Sequence, residues 1–306
     1  MIQLQTMLCR RRFFISIFCL GAFVPIFAHA DESSLVDALQ NTYSACVGID
    51  ERLSDLKKMA GINTAITGVG TATATGATIV GIVKSSVDKE LREILAKVDE
   101  TDGATKNPSA DDVFAVYDKT GGVSSERQRT LSDKSKSLGN WRTGLLGTST
   151  VTNIASAVIA GNNKVDGDLQ SHIDECIKSV DFLKTVSALA RLDGLDVTEA
   201  NTIAIACGEW KYADLSVINN RGRGAMISSI VGATTGTVGT ITSVAANSDG
   251  VRAGDEQKEK NLNTASNVLA GGTAVASGVA TVFNATQIST IKKIAKIAEN
   301  CEKVLK

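Results

Sequence analysis

Four segments rich in Gly, Ala, Ser, Thr and Val constrain the fold of this 306-residue chain more than any other feature. They are Gly61–Val83, Gly144–Gly161, Gly224–Ala246 and Val268–Ala285. Small side chains let helix backbones approach closely, both in tightly packed bundles and between membrane helices. A bilayer-spanning helix needs about 20 residues, and each segment has roughly that length.

Four cysteines flank these segments in the order of an internal duplication. The first segment begins as far after Cys46 as the second segment ends before Cys176. The corresponding offsets from Cys207 and Cys301 are nearly equal to each other and to the first pair. Each copy therefore contains a cysteine, a small-residue segment, a turn, a second such segment and a second cysteine, which predicts a helical hairpin.

The predicted fold is all-α, with two tandem antiparallel hairpins that form an elongated, coiled-coil-like four-helix bundle. The first hairpin covers residues 31–194, with its turn at about 99–125, and the second covers residues 195–306, with its turn at about 247–254. Gly, Asn, Asp and Ser cluster in both turns, as is typical of loops. Pro108 is the only proline after residue 30, which favours long uninterrupted helices.

Apolar residues recur at intervals of three, four or seven along the arms, as in a packed helix. The stripe in the first arm includes Leu39, Cys46, Ile49, Leu53, Leu56, Ile62 and Ile66. Cys46 belongs to this stripe, so we expect it to face a partner helix. A strand is the alternative for Thr71–Thr75, which alternates with a period of two.

The matching offsets predict two disulfides, Cys46–Cys176 and Cys207–Cys301, since residues equally far from a hairpin turn come level with each other. This preference weakens if all four cysteines share one level of a single bundle. Buried free thiols are the alternative state. A zinc site is disfavoured because no two of these cysteines have the close spacing usual in such sites.

Glycines within the segments are predicted to be the points of closest helix packing. The candidate packing residues are Gly68, Gly76, Gly81, Gly147, Gly232, Gly236, Gly239 and Gly272.

Residues 1–30 have the order of a secretory signal peptide. Three arginines are followed by an apolar run from Phe13 to Ile26 and by a small-residue site at Ala28 and Ala30. We therefore expect export to the periplasm, the envelope or the medium, where cysteines usually form disulfides. The paired arginines leave twin-arginine export open beside the general route.

The remaining composition argues against several functions. Three of the 32 basic residues and none of the 33 acidic residues lie in the signal peptide, so the rest of the chain has no basic excess that would favour nucleic acid as a partner. His172 is the only histidine there, and acidic residues such as Asp88 and Glu90 fit a solvated helix face better than an acid/base pair. We predict no catalytic, metal-binding or cofactor-binding residues.

Two functional hypotheses follow. The first is an exported, non-catalytic scaffold or interaction module, and the second is a membrane-inserting or pore-forming protein that uses its small-residue hairpins. The expected partner is an unidentified protein or membrane lipid, and homo-oligomerisation is compatible with both hypotheses. Trp141 adjoins a segment and suits a membrane interface, whereas Trp210 lies further away and fits a helix contact.

Overall fold

The computed structural model describes residues 32–102, 125–248 and 256–306. The predicted signal peptide, including Ala28 and Ala30, and the centres of both predicted turns lie outside these ranges. The helices are α1 (Glu32–Cys46), α2 (Ile49–Asp102), α3 (Ser125–Asn162), α4 (Gly167–Leu192), α5 (Thr198–Gly208), a 3-10 helix (Glu209–Tyr212), α6 (Ser216–Asn247) and α7 (Glu256–Leu305). Within the described ranges there is no strand, which confirms the predicted all-α class.

The alternating stretch Thr71–Thr75 lies inside α2 and is helical. The hydroxyl of Thr71 donates to the carbonyl of Thr67, and that of Thr73 donates to the carbonyl of Val69. These bonds to the preceding turn satisfy the hydroxyls within the helix, so the strand alternative is wrong.

The four long helices α2, α3, α6 and α7 form a closed ring in which each contacts two neighbours. Neighbouring helices run in opposite directions: Ser156 pairs with Ser229 and Thr143 with Ser243, so residue numbers fall along α3 as they rise along α6. We call this ring the bundle.

The shorter helices α1, α4 and α5 lie at one end of the bundle, where α1 packs against α4, α4 against α5, and α5 against α7. We call these helices, the 3-10 helix and residues 288–305 of α7 the cap. Large apolar side chains fill its core, among them Leu53, Ile173, Leu183, Ile218 and Trp210. The cap therefore has the interior of an ordinary water-soluble domain.

Three of the four predicted arms are interrupted near the cap, so the prediction of uninterrupted helices is wrong. Gly48, with φ of 86°, separates α1 from α2, and an Asp166 side chain caps α4 after a short loop. The 3-10 helix separates α5 from α6. A left-handed glycine and a side-chain cap end helices as effectively as proline does.

Both disulfides lie in the cap core and join the pairs that the cysteine offsets predict, Cys46–Cys176 and Cys207–Cys301. The sulfur atoms of Cys46, Cys207 and Cys301 lie within 4.8 Å of one another. The two bonds are thus side by side, and each joins helices that are distant in sequence: α1 to α4, and α5 to α7.

We predict that the double variant Cys207→Ser/Cys301→Ser lowers the free energy of unfolding by about 4 kcal/mol, because the bond closes a long loop in the unfolded chain. The measurement is guanidinium unfolding followed by Trp210 fluorescence in a Trp141→Phe background. The reduced parent protein serves as the control and should unfold at a still lower denaturant concentration, because it also lacks the Cys46–Cys176 bond. An unchanged unfolding midpoint in the non-reduced variant would contradict the prediction.

Candidate functional site

Each long helix of the bundle contains a long stretch without any Asp, Glu, Lys or Arg. The stretches are residues 59–83, 143–163, 224–248 and 261–291. Hydrogen bonds between neighbouring helices show that the four stretches lie side by side along the bundle. Ser149 donates to the Gly70 carbonyl. Thr235 pairs with Thr273, and Asn63 donates to Asn284. The bundle therefore has a continuous uncharged zone around all four helices.

Large aliphatic side chains in this zone point outward. For example, Val275 is 69% exposed. The exposed set includes Val69, Ile79, Ile82, Val151, Ile154, Val158, Ile227, Ile230, Val238, Ile241, Val244, Val268, Val275, Val279 and Val282. We call this surface the apolar belt. It lies on all four helices, whereas soluble monomers rarely expose contiguous apolar patches of more than a few hundred Å².

Polar and small side chains occupy the interior of the same zone. Asn153 donates to the carbonyl of Ser149 and to the hydroxyl of Ser277, and the Ser277 hydroxyl also bonds to Asn153 Oδ1. The buried polar set includes Asn63, Thr67, Ser149, Asn153, Ser156, Ser229, Ser243, Ser266, Thr273, Ser277, Asn284 and Gln287. The bundle is thus more polar inside than outside, the reverse of the cap.

Several threonines on the outside of the zone do not present free hydroxyls. Their hydroxyls donate to the carbonyl four residues earlier, as in Thr73, Thr148, Thr234, Thr237 and Thr242. This bond satisfies the hydroxyl donor within its own helix. These threonines are therefore compatible with apolar surroundings.

Three described helical regions are long and apolar enough to cross a membrane by length and composition, and they contain α2, α3 and α7. Only 28% of the most apolar window in each region is buried within the protein. The other residues of each window are half-buried or exposed.

Charged and aromatic residues mark the two edges of the uncharged zone. Lys58, Lys164, Arg223 and Lys292 border it on the cap side. Trp141 lies at the opposite edge and is 67% exposed, whereas Trp210 is 1% exposed in the cap core. An exposed tryptophan at the end of an apolar segment is typical of a membrane interface.

A buried ionic cluster lies inside the bundle at the Trp141 edge. Lys84 Nζ lies 2.6 Å from Asp88 Oδ2 and 3.6 Å from Glu259 Oε1. Ser135 donates to the other Asp88 oxygen, and Arg142 donates to the side chain and the carbonyl of Asn263. These contacts join α2, α3 and α7, with two cations facing two anions.

Arg142 lies just outside the stretch 143–163. Burial lowers the pKa of its guanidinium to about 10, an effect that the charge of Asp88 opposes. Arg142 therefore stays charged at neutral pH. Pairing and hydrogen bonding are the conditions under which buried charges are tolerated.

The predicted packing glycines fall into two groups. In the first group the neighbouring helix comes close. A Cβ at Gly81 would collide with Asn267, one at Gly236 with Thr150, and one at Gly239 would come within 3.3 Å of Leu269. Gly232 faces Asn153, and Gly76 makes ordinary contact with Leu145.

The other three candidates, Gly68, Gly147 and Gly272, face open space, because a Cβ at any of them would meet nothing within 4 Å. Close approaches that the sequence pattern did not indicate occur at Gly139 and Gly222. A Cβ at Gly222 would lie 3.3 Å from the backbone carbonyl oxygen of Asn163. Gly222 lies between Arg221 and Arg223, so the sequence pattern placed it outside the predicted small-residue segments.

The acidic and histidine candidates do not form one site. Asp88 is buried in the ionic cluster, so its expected place on a solvated helix face is wrong. Glu90 instead pairs with Arg127 on the surface, and His172 is half-buried in α4 of the cap. The i, i+4 spacing of Lys84 and Asp88 in the sequence indicates an ion pair, but the same spacing is found in exposed ion pairs on helix surfaces.

We predict opposite effects from alanine at two glycines in the uncharged zone. Gly232→Ala places a Cβ 2.9 Å from the hydrogen-bonded amide of Asn153, which should lower the free energy of unfolding by about 1 to 3 kcal/mol. In Gly147→Ala the new Cβ lies in open space, so this change should raise the free energy of unfolding by up to about 1 kcal/mol. Thermal unfolding in one detergent measures both, and shifts of the same sign and size would argue against the packing described.

Comparison with known proteins finds that no family model, curated protein or solved structure matches this chain. Its function is therefore argued from three features of its own structure. These are the apolar belt, the polar interior of the bundle and the disulfide-linked cap.

Proposed function

We propose that the protein is an exported membrane protein whose four long helices cross a lipid bilayer, with the cap on one side. The observation that carries the proposal is the apolar belt around a polar, small-residue interior. Each uncharged stretch is long enough to cross the hydrocarbon core of a bilayer, for which a helix needs about 20 residues.

The forces that hold the bundle together suit lipid better than water. Lipid chains are as apolar as the belt, so helices associate there through close packing and interhelical hydrogen bonds instead of the hydrophobic effect. Small residues and hydroxyl pairs such as Ser156–Ser229 supply these interactions. In water, the outward valines and isoleucines would remain hydrated and would favour aggregation.

The cap supports a second, compatible role as a non-catalytic interaction module. Leu192, Ile205 and Tyr212 are 83%, 76% and 84% exposed on its surface. These side chains belong to separate elements that the disulfides and cap core hold together. A protein partner that binds these groups would connect the scaffold hypothesis with membrane anchoring.

The interior of the bundle bears on the pore-forming alternative. Side-chain amides and hydroxyls extend from Gln287 near the cap, through Asn153, to Asn263 in the ionic cluster. Separation of the helices would expose this polar column to water, whereas the packed bundle satisfies many of its groups internally. Permeation would therefore require a state in which the helices have separated. For the packed bundle described here, the proposed function is membrane insertion.

Val275→Lys tests insertion, since this residue lies near the middle of the belt. In a bilayer a lysine there should destabilise the inserted state by about 2.5 to 3.5 kcal/mol. We expect a marked loss of protein from liposomes in a flotation assay. A surface lysine on a water-exposed helix would instead leave stability within about 0.5 kcal/mol of the parent.

The matched control is Val36→Lys, which introduces the same charge at an exposed valine of α1 in the cap. It should float with the liposomes as the parent does. Equal flotation of the parent and both variants would contradict placement of Val275 in lipid. Failure of the parent to float would contradict insertion itself.

A further inference from the structure

A cleft of about 200 Å³ lies at the cap edge of the apolar belt. Its polar lining consists of Arg52 and Asp55 from α2, with Asn162, Asn163, Lys164 and Asp166 from the end of α3 and the loop to α4. Met59, the first residue of an uncharged stretch, also lines it. If the belt lies in a bilayer, this cleft opens at the level of the lipid headgroups.

Three sets of contacts hold the loop side of the cleft in place. The Asn219 side chain accepts from the Val165 amide at 2.7 Å and donates to its carbonyl at 3.2 Å. Gln287 donates to the carbonyl of Asn163 at 3.1 Å. Arg52 bonds to both carboxylate oxygens of Asp166, at 3.1 and 3.2 Å. Helices α2, α6 and α7 thus fix the loop before any ligand arrives.

The buried side chain of Asn163 indicates that the cleft binds a ligand. The residue is 3% exposed, yet neither its Nδ2 nor its Oδ1 has a hydrogen-bond partner. Buried side-chain polar atoms are normally hydrogen-bonded, and an unpaired amide is unfavourable. A group that offers both an acceptor and a donor would satisfy this side chain.

Lys164 and Asp55 supply one charge of each sign beside this amide. Both are exposed residues that line the cleft, and neither side chain has a hydrogen bond or ion pair within the described part of the chain. Arg52 and Asp166 already neutralise each other. The groups left for a ligand are therefore one cation, one anion and one amide, which together match a zwitterion.

We propose that the cleft binds the headgroup of a phosphoethanolamine lipid. The phosphate oxygens accept from Lys164 and from Asn163 Nδ2, while the ammonium group donates to Asp55 and to Asn163 Oδ1. The lipid source of this headgroup rests on the proposed membrane insertion, because only then does the cleft face the headgroup layer. A choline headgroup has no N–H to donate, and a glycerol headgroup has no cation.

The test is native mass spectrometry of the protein in detergent, with phosphatidylethanolamine, phosphatidylcholine and phosphatidylglycerol of identical acyl chains. We expect about tenfold stronger retention of phosphatidylethanolamine, the effect of one charge-assisted hydrogen bond. The double variant Lys164→Gln/Asp55→Asn should lose this preference. The control Lys211→Gln/Asp37→Asn makes the same changes at exposed cap positions outside the cleft and should keep it.

Equal retention of the three lipids by the parent protein would overturn the proposal, as would an unchanged preference in the Lys164/Asp55 variant. Soluble phosphoethanolamine is added as a competitor. Displacement of the lipid at equal concentration would overturn the lipid source in favour of a free small molecule. Liposome flotation of the same sample tests insertion separately. A protein that floats without lipid preference contradicts only the cleft proposal. One that prefers phosphatidylethanolamine without floating contradicts insertion and the lipid source, and supports only recognition of the headgroup by the cleft.

Discussion

Close packing between small residues is the interaction on which the rest of the bundle depends. Where Gly232 faces Asn153 and Gly236 faces Thr150, the space left by a missing side chain accepts a polar side chain from the neighbouring helix. Those polar groups then bond across the interface, as Asn153 does with Ser277. Because the interior is filled by small residues, the valines and isoleucines of the same helices are left on the outside.

The cap and the bundle are stabilised by different means. In the cap, large apolar residues fill the core and two disulfides join helices that are distant in sequence. In the bundle, the apolar clusters are small: Leu146 packs against Ala77 and Ala270 in one, and Val87, Ile94 and Leu131 form another. Interhelical hydrogen bonds and the ionic cluster around Lys84 connect the remainder. This contrast supports the proposed placement of the bundle in lipid and of the cap in water.

Helical periodicity, small-residue segments and cysteine offsets were sufficient to predict an all-α chain and the cysteine pairs. They could not reveal which face of each segment points inward, because Gly, Ala, Thr and Val occur on both faces and give little periodic contrast. The pair Lys84 and Asp88 has the spacing of a surface ion pair, and its burial becomes evident only when Ser135 and Glu259 approach it from the neighbouring helices. The break before Asp166 follows Asn162-Asn163, a pair typical of loops, whereas the prediction of uninterrupted helices rested on the scarcity of proline.

The most direct test of the account uses the two tryptophans as separate reporters of lipid contact. Trp210→Phe leaves only Trp141 at the belt edge, and Trp141→Phe leaves only Trp210 in the cap core. Each variant is mixed with liposomes that contain lipids brominated near the headgroup end of the acyl chain, and fluorescence quenching is measured. Insertion of the bundle predicts strong quenching of Trp141 and little quenching of Trp210. Absence of quenching of Trp141 in protein that retains its helical content would contradict placement of the apolar belt in the bilayer.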